Sequence, residues 1–118
     1  MRLTQAILFV ADLEQMIAFY REVIGMTLVE ETRTAQWAEF KGHGGLGLAL
    51  HALPADASVL PSPVPRETQS CKLVLAVESL AAERSRLAAC GVTILDRTWG
   101  GWDIADPEGN VLGITKRG

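Results

Sequence analysis

The sequence predicts an α+β fold of two βαβββ modules in tandem, whose curved mixed sheets form a cup with the helices outside. Three observations predict it. A short β run leads into a helical stretch and then into further β runs, and this order occurs twice. A proline-dense segment separates the two copies. The 118 residues are 48% hydrophobic, enough for a core of ordinary domain size. The chain 1–118 therefore reads as a single domain, with module one at 1–53, a linker at 54–70 and module two at 71–118.

Ala6-Ile7-Leu8-Phe9-Val10 is the first β run. Asp12, with Gln15 three residues on, forms a capping-box start. Leu13, Met16, Ile17, Tyr20, Val23 and Ile24 then recur at helical spacing, and Gly25 closes the helix. Met26–Arg33, Gln36–Lys41 and Leu46–His51 read as three strands, the last two joined by a turn at Gly42-His43-Gly44-Gly45. Pro54, Pro61, Pro63 and Pro65 then exclude helix and central strand, so an extended crossover is expected.

The pattern restarts with Lys72–Val77 as a strand. Ser79 is an N-cap, Leu80 to Cys90 a helix closed by Gly91, and Val92–Arg97, Trp102–Ala105 and Val111–Thr115 are strands. Asp106-Pro107-Glu108-Gly109-Asn110 makes the last hairpin: Asp accepts backbone hydrogen bonds, Pro presets φ, and Gly109 tolerates positive φ. In the repeat, Val10 answers Val77, Leu13 answers Leu80, Gly25 answers Gly91, and Trp37 stands near Trp102. Each module leaves one sheet face uncovered by its own helix, and the other module would supply the cover.

Strand alternation then assigns the lining. With Ala6, Leu8 and Val10 on the helix, Gln5, Ile7 and Phe9 face the cup; with Leu73, Leu75 and Val77 on the helix, Lys72, Val74 and Ala76 do. Trp37, Trp99 and Trp102 lie on or beside the rim, a heavy share for a chain with one Tyr and three Phe. Flat rings over an apolar cleft suit a planar or cationic small molecule. Lys72, turned inward, would pair with Glu39 or a ligand anion. Asp106 reads as a turn former, and Glu83, Arg84 and Arg86 as a solvated helix face.

Composition narrows the classes. A net charge of −3 leaves no basic footprint for nucleic acid. No apolar run approaches the ~20 residues of a membrane span. Met1-Arg2-Leu3-Thr4-Gln5 enters β sequence without a signal-peptide pattern, so a cytoplasmic protein is expected. Cys71 and Cys90 form no CxxC and read as free thiols.

Val10-Ala11-Asp12-Leu13-Glu14, Phe19-Tyr20, Ile24-Gly25-Met26, Leu87 to Val92, Trp99-Gly100 and Asp106 to Asn110 together resemble the vicinal oxygen chelate superfamily, the glyoxalase, bleomycin-resistance and extradiol-dioxygenase group. The resemblance implies a cup whose enzymes hold a divalent metal through His and Glu on the first and last strands of each module. Carried over, those positions fall on Gln5 and Ala49 (Leu48 if the register slips by one), and on Lys72 and Gly113. None is His, Asp or Glu, and a charged Lys has donors only. No metal and no cofactor is therefore expected. His51, sharing a face with Ala49, would have to join Glu39 and Gln5 to build a displaced metal site, while His43 sits in the glycine-rich turn.

The function expected is a metal-free small-molecule-binding protein. Its ligand, aromatic or hydrophobic, would touch Gln5, Ile7, Phe9, Trp37, Glu39, Ala49, His51, Lys72, Val74, Trp99, Trp102 and Gly113. The alternative is a lyase, isomerase or dioxygenase with an atypical metal set, or one using Lys72, His51 or Glu39 in metal-free acid–base catalysis. Family habit implies a homodimer; no nucleic-acid or membrane partner is expected.

Overall fold

The computed structural model describes residues 1–43, 46–54, 56–57 and 64–117. Gly44, Gly45, Pro61 and Pro63, named above for a turn and for the linker, lie outside the described residues. The chain divides into two compact units, Met1–Pro61 and Ser62–Gly118.

Unit one contains β1 (Gln5–Val10), α1 (Leu13–Ala18) running on into a π-helical turn (Phe19–Val23), a 3-10 turn (Glu30–Thr32), β2 (Trp37–His43) and β3 (Leu46–Ala52). The strand order is β1-β3-β2, with β1 parallel to β3 and β2 antiparallel to it. Asp12 caps α1 by accepting from the Gln15 N–H at 3.1 Å. The helix does not stay α to Ile24. It widens, so that the Ile24 N–H reaches back to the Phe19 carbonyl at 3.0 Å. In this wider turn the adjacent Phe19 and Tyr20 are both buried and meet edge to face at 5.2 Å. They join Leu13, Met16, Ile17, Val10, Ala38, Phe40, Leu48 and Leu50 in the core under the helix, where each large side chain contributes about 1.5–3 kcal/mol.

The expected strand Met26–Arg33 is corrected. Leu28 makes one isolated bridge to Phe40, flanked by backbone bonds from Val29 to Glu39 and from Lys41 to Thr27. The charged run from Glu30 to Arg33 then turns into 3-10 geometry. Glu30, Glu31 and Thr32 are exposed to solvent, Arg33 turns aside to pair with Glu14, and the strand pairing stops there.

Unit two contains β4 (Leu73–Val77), α2 (Leu80–Ala89), β5 (Thr93–Asp96), β6 (Trp102–Ala105) and β7 (Val111–Lys116), in the order β4-β7-β6-β5. As in unit one, the first strand runs parallel to the last, and the neighbouring hairpin strands are antiparallel. Ser79 caps α2 through the Ala82 N–H at 3.2 Å, and Leu87 is its fully buried anchor. The β6–β7 hairpin closes on Asp106. One oxygen of its carboxylate accepts from the backbone of Glu108 and Asn110, both at 2.9 Å, and the other from the Asn110 side chain at 2.8 Å. Gly109 takes φ 84°, as the turn requires. The end of the expected crossover is tied to this hairpin: Arg66 N–H donates to Gly109 at 2.8 Å and the Gln69 side chain to Val111 at 3.1 Å. Both modules are thus mixed α+β units, and none of the described helices is long and apolar enough to cross a membrane.

Candidate ligand-binding site

In each unit the helix covers one sheet face, and the register defines what stands on the other. In unit one, Phe9, His51 and Trp37 form a row across β1, β3 and β2; Ile7, Ala49 and Glu39 form the next row, and Gln5 stands opposite Gly47. Phe9 is 60% exposed. The His51 ring meets the edges of Phe9 at 5.6 Å and Trp37 at 5.9 Å. Its Nδ1 is buried without a hydrogen-bond partner. Glu39 Oε2 accepts from the Trp37 indole N–H at 3.1 Å and from the Gln5 amide at 3.3 Å.

Unit two repeats the plan with charged donors. Lys72, Val74, Asp103 and Gly113 share the face away from α2. Asp103, only 3% exposed, accepts from Arg97 Nε at 2.8 Å and from Lys72 Nζ at 3.2 Å. Arg97 also binds Glu67 at 2.9 Å. Its hydrogen bonds to Glu67 and then Asp103 hold the guanidinium more firmly protonated than usual. Burying Asp103 is tolerable because both cations reach it. A Cβ on Gly113 would press within 3.1 Å of Val74 Cγ2 and within 3.5 Å of Lys72 Cε and Asp103 Oδ1, so glycine makes room for the pair. Trp99 is 70% exposed, with its ring flanked by Lys72 Nζ at 5.8 Å and Arg97 Cζ at 5.9 Å.

Lys72 therefore pairs with Asp103, not Glu39. Trp102 is also corrected: it turns to the helix face, where Arg84 of α2 lies over its ring at 5.6 Å. The match of Trp37 with Trp102 is one residue out. Glu39 opposes Ala49 and Asp103 opposes Gly113, so Glu39 answers Asp103 and Trp37 answers Gly101. Trp99 fills that space from outside the strand: a Cβ on Gly101 would lie 2.5 Å from its Nε1. Asp103, Arg97 and Glu67 were missed by sequence reasoning. A lone Asp inside the apolar strand Trp102–Ala105 was the available signal.

At the positions where the resemblance implies metal ligands, Ala49 and Gly113 lack a side-chain donor, Gln5 is bonded to Glu39, and Lys72 is a cation in an ion pair. These residues do not fit a divalent ion. Among the described residues, no group of three or more His, Cys, Asp and Glu could hold a metal ion.

A family model described as a glyoxalase-like domain matches residues 5–115. No curated protein matches the chain. Among solved structures, the chain is similar to TnmS3, an antibiotic binding protein from Streptomyces sp. CB03234, with 23% identity, TM-score 0.72, and 100% of this chain and 97% of that one covered. It is similar to a glyoxalase/bleomycin resistance protein/dioxygenase from Nocardioides, with 23% identity, TM-score 0.73, and 98% and 82% covered. It is also similar to lactoylglutathione lyase from Agrobacterium tumefaciens, with 23% identity, TM-score 0.67, and 98% and 92% covered. At these identities the likeness establishes the fold.

Proposed function

The chain belongs to the glyoxalase-like domain family, within the vicinal oxygen chelate superfamily, and from that premise we propose that it is a metal-free small-molecule-binding protein, sequestering an aromatic or hydrophobic ligand. The observation that carries this is apolar exposure on the sheet faces away from the helices. Phe9 and Ile7 in unit one, and Val74 and Trp99 in unit two, are all large side chains open to solvent. Exposed apolar and aromatic surface of this kind, next to a few fixed polar groups, is what a ligand site requires. Each unit offers a ring face for stacking beside a fixed polar network: Phe9 with Glu39 in unit one, and Trp99 with Asp103 in unit two. The missing donors at Ala49 and Gly113 support binding without a metal. One similar structure is an antibiotic binding protein, which supports the same class of activity.

The ligand is held by burial and stacking, and no bond need break. Tryptophan fluorescence tests this. An aromatic library should contain members that quench emission saturably, and EDTA should leave the titration unchanged. Quenching that vanishes with EDTA and returns with zinc, or a library without a single binder, overturns the proposal. The exposed thiols Cys71 and Cys90 support a reducing, cytoplasmic setting, and family habit supports a homodimer, which sedimentation reads directly.

A further inference from the structure

The two units carry matching carboxylates with unlike charge balance. Asp103 is neutralised by Lys72 and Arg97. Glu39, its counterpart, receives only neutral donors, the Gln5 amide and the Trp37 indole, and both bond the same oxygen, Oε2. Among the described residues no cation pairs with Glu39, and Oε1 accepts no hydrogen bond. Glu39 is half-buried, with Oε1 still open to solvent and so to a charged partner.

The surroundings specify what that partner should be. Beside Glu39, in register, runs the aromatic row Phe9–His51–Trp37, in which Phe9 is 60% exposed. A carboxylate oxygen beside aromatic rings is the environment that holds an organic cation: the carboxylate takes its charge, and the ring quadrupoles attract what remains. An anion would be repelled. A neutral aromatic would gain the stacking but leave Oε1 unmatched.

We infer that the face of unit one around Glu39, Trp37 and Phe9 is the subsite for a protonated amine, so that the ligand is an aromatic amine bound as its cation. The inference rests on the binding function proposed above and adds the charge of the ligand and the residue that reads it. The ammonium donates to Glu39 Oε1 while its aromatic part lies along Phe9.

Three probes of equal ring size decide it: 2-naphthylmethylammonium, 2-naphthylmethanol and 2-naphthoate, each titrated while the three indole N–H resonances are followed by NMR. Trp→Phe variants assign Trp37, Trp99 and Trp102. The cation should bind at least ~5-fold more tightly than the alcohol and move the Trp37 resonance, which reports the bond to Glu39. The anion should bind weakest. Glu39→Gln should remove the cation's advantage, so that cation and alcohol bind alike. Equal binding of cation and alcohol, tighter binding of the anion, shifts confined to Trp99 or Trp102, or a cation preference that survives E39Q overturns the inference and leaves the binding function standing. Binding of none of the three overturns the inference and counts against the binding function. The wild-type ranking of the probes decides the matter even if E39Q does not fold.

Discussion

Asp106 closes the last hairpin. Its carboxylate satisfies two backbone N–H groups and one side-chain amide at a nearly closed turn. Asp106→Ala leaves those donors without their acceptor and should lower stability by about 2–3 kcal/mol, read from the urea midpoint at unchanged m. Arg97 plays a like part for Asp103. Arg97→Leu leaves the buried Asp103 carboxylate on Lys72 alone and should lower the unfolding midpoint; adding Asp103→Asn should recover much of the loss, which a double-mutant cycle measures. Gly101 acts by leaving room. Gly101→Ala puts a methyl where the Trp99 indole lies. Because Trp99 is exposed and its displacement opens no core, the expected result is a moved Trp99 resonance and weaker ligand quenching, with little change in the unfolding midpoint.

At the level of elements, the two helices are anchored unequally. Around α1 and its π-helical turn, Leu13, Met16, Ile17, Phe19 and Tyr20 are all buried, whereas α2 buries Leu87. Leu87→Ala should therefore cost about 2–5 kcal/mol and speed amide exchange in α2 before that in β6 and β7. The outer edge of α2 is also tied to β5 by Arg84 and Asp96, 2.8 Å apart. The hydrogen bond from Arg84 holds the Asp96 carboxyl below the ordinary aspartate range. A depressed folded-state pKa gives stability that is present above the unfolded value and is lost as pH falls through the folded one. Asp96→Asn should thus flatten the acid limb of the stability curve below about pH 4. The pair is solvent-exposed, so the change should be small and should shrink with added salt.

For the whole molecule, the duplicated plan is one scaffold with two electrostatic solutions. In both units a side chain at the entry to the first strand bridges to a carboxylate two strands away, over a small residue in the last strand: Gln5 to Glu39 over Ala49, and Lys72 to Asp103 over Gly113. The bridges occupy ground where the superfamily resemblance implies metal ligands. If no ion takes part in the native state, chelation has nothing to remove. EDTA should move the thermal midpoint by less than about 1 °C, and added zinc should not raise it, since only a species that binds the folded state shifts that equilibrium. A zinc-dependent rise would show that donors other than these four positions assemble a site.

The sequence by itself determined the modules, their caps, the last hairpin and the scarcity of metal donors. These are local properties: strand alternation, helical spacing, the Asp12 and Ser79 caps and the Asp106 turn act within a few residues of one another. It also placed Gln5, Glu39 and Lys72 among the residues to watch. Tertiary structure alone decided the pairing. A register error of one residue turns a side chain to the opposite face, which is why Trp102 was expected beside the ligand and lies under Arg84, and why Asp103 went unnoticed. The widened helix at Phe19 and the loss of the Met26–Arg33 strand are likewise outcomes of packing and solvation. Spacing cannot show that two neighbouring aromatics will both be buried, or that a charged run will leave the sheet for water.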